Sequence, residues 1–576
     1  MTKPRDQGHR KAALRSLRPL VACIAGATLV LACSSPRTAR QLPGNGATAA
    51  APAPAPQTPL PLLGTDPELA VGSDLRALAR WIGDASLVGL GEGYHGTHEL
   101  HRLAHRIFAH LVEEEGFTVF ALEVDQAHAA LLDDFVAGKR GDLDAILAQR
   151  WWASEIFYDE ALRELLLWMR ERNARGGERL RFAGFDLKQP DLAAGALLRE
   201  LAALDPAAVR EAETLVASVR ELGGFGIYPN VFGFSATLEL PLPPGRHETR
   251  RLRIRLPVKS RGLEYHRPGF EVRAGDATNE ARLARQQWNV AEWIALETEI
   301  LIAPEVETAD IVLFHRGNGT VWFAPLAATL NGTPLPVSPI TELHADPLEL
   351  PHLQVMDHTA AADPAVAVAG EPSLRISCDP RVDRARAAAR RLSALVADRV
   401  TGSRLPAEKA LWLRQLARLI EQATAWRTLE QNNRDVFLAE NLEWVQRVGA
   451  DSGRVLALAA DSHTERLPQR MGSFLAQGYG DRYRTVSMLP VAGSAIGRHD
   501  WRSARHGGPF EVVAFGAEDA SPLTRFLATL APGDFLTRVA GSDLPTRAPS
   551  VDPSILPDVA ILVRQVTAAR VAPRSH

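Results

Sequence analysis

Cysteine is nearly absent: the 576 residues contain 3, at Cys23, Cys33 and Cys378. So few and so scattered, they exclude a disulfide framework and a cysteine-built zinc site. Neither charge is in excess. The 65 Lys and Arg against 68 Asp and Glu leave a net charge of −3, so there is no basic field to hold a nucleic acid. No H-E-x-x-H pattern marks a zinc-protease helix. No G-x-S-x-G pattern marks a serine nucleophile on an elbow. What remains is a chain with 46% apolar residues. That is enough to bury large cores, and the chain is too long for one ordinary domain.

The first residues read as an export signal. Lys3, Arg5, Arg10, Lys11, Arg15 and Arg18 are followed by the uncharged apolar run Pro19 to Ala32. The run is too short to span a bilayer comfortably and fits the apolar region of a signal peptide. It ends in Val30-Leu31-Ala32-Cys33-Ser34-Ser35, which resembles a bacterial lipobox with Cys33 as the acylated residue. Ala47 to Leu63 is dominated by Ala and Pro and reads as an extended tether. The expected boundaries are a signal at 1–33, a tether at 34–66, a first catalytic half at 67–224, an insert at 225–372 and a second catalytic half at 373–576. The chain is then lipid-anchored in the cell envelope, on the outer membrane or facing the periplasm.

Four apolar strands end in acids. Leu87 to Leu90 runs into Gly91-Glu92-Gly93-Tyr94-His95-Gly96-Thr97, a glycine turn before a helix carrying Leu100, Leu103, Ile107 and Leu111. Val119 to Leu122 ends in Glu123, Leu180 to Phe185 in Asp186, and Val455 to Ala460 in Asp461 with His463 close behind. If these strands are parallel neighbours in a mostly parallel α/β sheet flanked by helices, Glu92, His95, Glu123, Asp186 and His463 share the rim where such sheets bind ligands. Carboxylates beside imidazoles are the parts of an acid–base site. Strand-end acids that merely cap the next helices are the plainer alternative. Trp151 and Trp152 would wall a pocket or join the core.

From Phe225 to Pro372 the texture changes. Arg251 to Leu256 alternates strictly between Arg and apolar residues, as in a strand with one solvated face. Short strands with regular turns suggest an all-β sandwich. Gly317-Asn318-Gly319-Thr320-Val321-Trp322-Phe323 is similar to the ending of jelly-roll modules of the carbohydrate-binding type. Trp288, Trp293 and Trp322 are candidate glycan contacts there, or else core. Asp379 to Val400 and Pro406 to Val448 then read as strongly helical, with long apolar stripes and with Arg434 and Asn441 about two turns apart on one face.

Several of these stretches together resemble the erythromycin esterase family. Gly91 to Glu99 matches its G-E-x-x-H-G-x-x-E signature. Trp168, Arg170 and Asn173 match W-x-R-x-x-N, and Gly184 and Asp186 match G-x-D. Arg434-Asp435 with Ala439 and Asn441 matches R-D-x-x-M-A-x-N, with Leu438 in place of Met. The family's H-N-x-H is here Asp461-Ser462-His463-Thr464, with a single histidine. The resemblance implies a hydrolase acting on a small-molecule ester or lactone. In it His95 takes a proton from water, Glu92 or Glu123 orients the imidazole, and His463 or an arginine such as Arg102 or Arg106 stabilises the oxyanion. Asp186, Arg434, Trp152 and Glu99 are the candidate substrate-binding residues. No cofactor is implied. Two other classes stay open. One is a metal-dependent hydrolase with Glu92, His95, Glu123 and His463 as ligands. The other is a non-enzymatic surface protein that grips glycan through the insert.

Changing Cys33 to Ala tests the lipobox. Fractionation should find the variant released from membranes or left unprocessed; unchanged partition and processing would refute lipid attachment.

Overall fold

The computed structural model describes residues 58–570, apart from 150–155, 223–230, 246–247, 264–267, 285–286, 288–291, 317–318, 344–354, 357–358, 378–379, 402, 429–432, 450–452, 498–510 and 540–555. The export signal, Cys33, most of the tether, Trp151, Trp152 and Trp288 lie outside the described residues. Among the described residues no helix is long and apolar enough to cross a membrane.

The chain enters the fold earlier than composition implied. Leu60–Pro61 (β1) pairs antiparallel with Phe535–Arg538, and Leu62 is buried. Helix α1 (Ser73–Ile82) follows, then β2 (Leu87–Glu92), α2 (His98–Glu115), β3 (Phe117–Asp125), α3 (Gln126–Val136), α4 (Leu143–Ala148), α5 (Glu160–Ala174), β4 (Arg181–Asp186), α6 (Pro190–Leu204) and α7 (Pro206–Arg220). After the inserted strands come α8 (Pro380–Thr401), α9 (Ala407–Arg427) and α10 (Arg434–Trp444). The strand Arg454–Ala460 leads to two short helices, and Tyr483–Gly497, Glu511–Phe515, Phe535–Arg538 and Val559–Val566 complete the sheet.

That sheet has nine strands and is mixed. Its parallel part runs in the order Val559–Val566, Tyr483–Gly497, β2, Arg454–Ala460, β3, β4. The expectation of a mostly parallel sheet is thereby corrected at one side: β1, Phe535–Arg538 and Glu511–Phe515 pair antiparallel. The decisive placement is Arg454–Ala460, which lies between β2 and β3. Strand pleat then divides the core. Val88, Leu90, Phe120, Leu122, Leu456 and Leu458 pack with residues of α1, α2, α3 and α5. Leu87, Val119, Ala121, Val455, Ala457 and Ala459 pack with residues of α6 to α10. Both faces are covered, so the central strands are continuous apolar runs.

The second helical stretch is divided in two. α9 ends at Arg427 and α10 begins at Arg434. Asn433 caps the new start by accepting from Asp435 N at 3.1 Å, as asparagine commonly does. The apolar stripe alone did not reveal this break. It places Arg434 and Asp435 in the first turn of a helix, at the rim of the sheet.

The inserted strands run from Val231 to Ser377 and form two sheets, of five and seven strands. Buried residues of both sheets make one apolar cluster separate from the main cores. Arg250–Arg261 alternates as expected: Leu252, Ile254 and Leu256 are buried. Arg251, Arg253 and Arg255 point out and pair across the strand with Glu297 and Glu299. Trp322 is only 8% exposed, and its indole N–H donates to Asp363 at 2.9 Å.

Two glycines of the loop after β2 are required by the packing. Gly96 has φ +68° and is gripped by Ile496, so a side chain there is strained and crowded. At Gly91 an added Cβ would stand 2.8 Å from Asp461 Cα and 2.7 Å from Thr464 Oγ1. The bare strand end lets the second half close over the first. Gly91→Ala should cost roughly 1–3 kcal/mol through overpacking. Thermal unfolding should show a fall in Tm of several degrees, and an unchanged Tm would mean the loop after Arg454–Ala460 is free to move aside.

Candidate functional site

The site is built at the carboxyl ends of β2, Arg454–Ala460, β3 and β4, where an open parallel sheet binds its ligands. Strand spacing sets the ends of β2 and β3 roughly 10 Å apart, with one strand between them. Glu92 at the end of β2 is 1% exposed. Its two oxygens serve two imidazoles. Oε1 lies 2.7 Å from His95 Nδ1, and Oε2 lies 2.9 Å from His101 Nε2. His101 Nδ1 is in turn 2.6 Å from Asp159 Oδ2. Asp159 is held in place because its other oxygen accepts from Leu162 N at 2.8 Å and caps α5.

His95 is the exposed end of this chain, its side chain 35% accessible. An ionised carboxylate only accepts, so Nδ1 of His95 carries the proton that faces Glu92, and in the neutral ring Nε2 keeps its lone pair. Burial works against the charged imidazole, yet the adjacent Glu92 wins and raises His95 above its ordinary value, with a smaller contribution from Glu123. Burial likewise opposes the ionised Glu92, but His101 and His95 bring its carboxyl down to about 2. Phe157 meets the His95 ring edge-on, with centroids 5.1 Å apart. Tyr94 stacks on Phe515 at 4.1 Å, giving the loop an apolar wall.

A second cluster stands beyond the intervening strand. Arg434 reaches from the start of α10 and donates to Asp186 at 2.7 Å and to Glu123 at 3.0 Å. Lys188 lies 3.0 Å from Asp186. Glu123 also accepts from Ala460 N at 3.1 Å, which ties β3 to the loop carrying His463. Arg434 Nη2 stands 2.9 Å from His463 Nε2. A guanidinium only donates, so Nε2 is the acceptor and the His463 proton sits on Nδ1, 2.7 Å from Asp435 Oδ1. Burial opposes ionisation of Glu123 and Asp186, but the cations around them hold both below the usual carboxylate range. Arg434 is raised further by Asp186 and Glu123 despite its burial.

Glu92, His95, Glu123, Asp186, Arg434 and His463 therefore do gather on one rim. Of the two expected partners for His95, Glu92 makes the hydrogen bond, while Glu123 is engaged by Arg434 and Ala460. Glu99 is turned elsewhere: it accepts from Thr567 N at 2.6 Å and Thr567 Oγ1 at 2.8 Å. Arg106 is buried against Asp74, and Arg102 bridges Asp66 and Glu164. The cation nearest to Glu123 and His463 is Arg434. Asn441, on the same helix, is buried and donates to Phe185 O at 3.1 Å. His101, Asp159 and Lys188 were missed as site residues, and Asp435 was read only within the family pattern. His101 lies in the helix that follows the strand-end acid and was readable as a partner; Asp159 comes from a distant segment and was not.

Among the described residues no group of three or more His, Cys, Asp or Glu is arranged as for a metal ion; each candidate ligand is instead paired as above. A cavity of about 530 Å³ lies along the edge of β4, lined by Asp133, Arg181, Glu408, Trp412 and Trp444 among others. None of the clustered rim residues lines it, so its size does not bear on their chemistry.

The erythromycin esterase family profile matches residues 112–290 and 352–558, more than half of the chain. Glu123, Asp186, Arg434 and His463 fall within those segments; Glu92 and His95 precede the first. The chain is 32% identical over 114 residues to an erythromycin esterase type II of Escherichia coli. That match takes in 20% of this chain and spans 26% of the length of the relative. Two crystal structures share the fold at 15% identity: a Bacillus cereus protein, with a TM-score of 0.52, and a succinoglycan biosynthesis protein, with 0.51. Each comparison covers 89% of this chain and 96% of the other.

Removing Arg434 should expose the cost of these buried charges. Glu123 and Asp186 have lowered pKa values, so the stability they contribute is present above their ordinary values of 4.5 and 3.8 and is lost in acid. In Arg434→Gln burial would instead push both up, so stability would fall as pH rises through the new values. Loss of about 3 kcal/mol is expected at neutral pH. Denaturant titrations should show the gap from wild type closing toward pH 4; a gap independent of pH would count against the charge account.

Proposed function

The chain belongs to the erythromycin esterase family, and from the geometry of its rim we propose that it hydrolyses an ester or lactone with His95 as general base. The observation that carries the reading is the pinned imidazole. Glu92 fixes the His95 proton on Nδ1, the side chain is 35% accessible, and the neutral ring then offers the Nε2 lone pair. In this reading Nε2 takes a proton from water as the oxygen attacks the carbonyl carbon. Glu92 steadies the imidazolium so formed. Arg434, the multiply bonded cation of the neighbouring cluster, faces the negative charge that develops on the carbonyl oxygen. His463 is held by Asp435 and Arg434 and helps to fix the guanidinium. The tetrahedral intermediate collapses when the imidazolium returns its proton to the leaving alkoxide. Water ends as the acid and the alcohol, or as the opened hydroxy acid of a lactone. Tyr94, Phe157 and Phe515 favour a substrate with an apolar body.

We read the inserted strands as a β-sandwich module and the N-terminus as a lipid anchor in the cell envelope. A glycan-contact role for the module loses support at Trp322, which is buried and hydrogen-bonded.

His95→Asn tests the base. The loop is held by Gly96 and its backbone partners, so the fold should survive while turnover of an activated ester falls by roughly a hundredfold or more. Glu123→Gln should also reduce turnover, and His98→Asn should leave it near wild type. Because Glu92 raises His95, the free base appears only above the ordinary 6.5. The rate should therefore climb with pH through a midpoint above that value, and Glu92→Gln should move the midpoint down. Full activity in His95→Asn with a dead His98→Asn would move the base to the other histidine.

A further inference from the structure

His101 is not needed by the reaction as written, yet it is one of the most constrained groups in the protein. It is 7% exposed. Each ring nitrogen is within hydrogen-bond distance of a different carboxylate, Asp159 at 2.6 Å and Glu92 at 2.9 Å. Ionised carboxylate oxygens have no proton to give. A neutral imidazole has one donor, so it would leave one of these contacts with two acceptors face to face. Both contacts are satisfied only if both nitrogens carry protons. We propose that His101 is a fixed imidazolium that neutralises Glu92 from behind and so keeps His95 free to accept a proton near neutrality.

The inference rests on the reading of His95 as base and deepens it. Glu92 alone, a buried anion 2.7 Å from His95, would hold the His95 proton too firmly for a base at neutral pH. His101 takes up part of that charge through the second oxygen of the same carboxylate. Glu92, His101 and Asp159 together then carry one net negative charge, where the two acids alone would carry two. Burial opposes the charged His101 ring, but Asp159 and Glu92 together raise it well above the ordinary histidine value. The helix cap makes the arrangement rigid: Asp159 cannot turn away without freeing the first turn of α5.

The other charges facing His95 come from separate elements. They are Glu123 from β3 and Lys188 beyond β4, with Asp461 after the strand Arg454–Ala460. Arg434 and His463 stand behind Glu123. Among the described residues none of these is bonded to the second oxygen of Glu92, which His101 holds. His101 is thus a positioning residue: it acts on the reaction through Glu92 and does not itself meet substrate.

Two measurements on the full chain test this. The first uses the wild-type protein with ¹⁵N-labelled histidine. Both ring nitrogens of His101 should be protonated from pH 6 to pH 8, and one unprotonated nitrogen in that range would overturn the proposal even if no variant folds. The second follows the titration of the His95 ring proton, assigned by its loss in His95→Asn. In His101→Gln the His95 midpoint should move up by roughly one pH unit, and the acidic limb of kcat/KM should move with it. His101→Arg, which keeps the charge and enough donors for both carboxylates, should restore the midpoint. A purely structural role would lower activity at every pH without moving the midpoint; a midpoint unmoved or lowered in His101→Gln defeats the proposal. The ring titration needs no turnover. Absent hydrolysis with the expected shifts would therefore overturn the esterase reading and leave the charge arrangement standing.

Discussion

A carboxylate buried at the end of a strand must be met by cations or hydrogen-bond donors, and the rim of this sheet buries Glu92, Glu123 and Asp186 on three of its strands. Glu92, Glu123 and Asp186 are between 1% and 4% exposed. Left alone, each would be expensive to ionise. The surrounding structure is arranged to meet that demand. Glu92 receives two imidazoles. Glu123 and Asp186 share Arg434, with Lys188 beside them. The chemistry assigned to His95 uses one of those compensating contacts.

The compensation depends on topology more than on local sequence. β2 and β3 are consecutive strands of the first half, yet they are not neighbours. Arg454–Ala460, more than three hundred residues away along the chain, lies between them. Its loop brings His463 to Glu123, and the helix before it brings Arg434. Gly91 makes the approach feasible, since a methyl group there would meet the backbone of Asp461. The two halves of the body therefore complete one another at the rim. The inserted strands between them form their own apolar cluster.

Several groups hold both a helix and the site. Asp159 caps α5 and orients His101. Asp435 accepts from Met471 N at 2.8 Å and from His463. Each thereby fixes a site imidazole to the first turn of a packed helix, which is a stiffer support than a loop. His101 extends the same logic from position to charge, since a ring clamped between two acids has no freedom to lose its proton.

The amino-acid sequence by itself determined the strands, the acids at their ends and the glycine loop, because burial on both faces demands continuous apolar runs and the turn demands glycine at Gly96. It also determined the alternation of Arg250–Arg261, since period two follows from the pleat. Its family pattern was legible in Gly91 to Glu99 and in Arg434 to Asn441. The tertiary structure alone decided which acid serves which base. Glu92 and Glu123 look alike as strand ends; the loop sets His95 three residues from the first, and only the fold brings Arg434 to the second. It likewise decided that Glu99 bonds Thr567, that Arg102 and Arg106 turn to other acids, and that a helix break places Arg434 at the rim. Hydrogen bonds act over about 3 Å between segments hundreds of residues apart, and nothing in local periodicity records which segments the fold will bring within that distance.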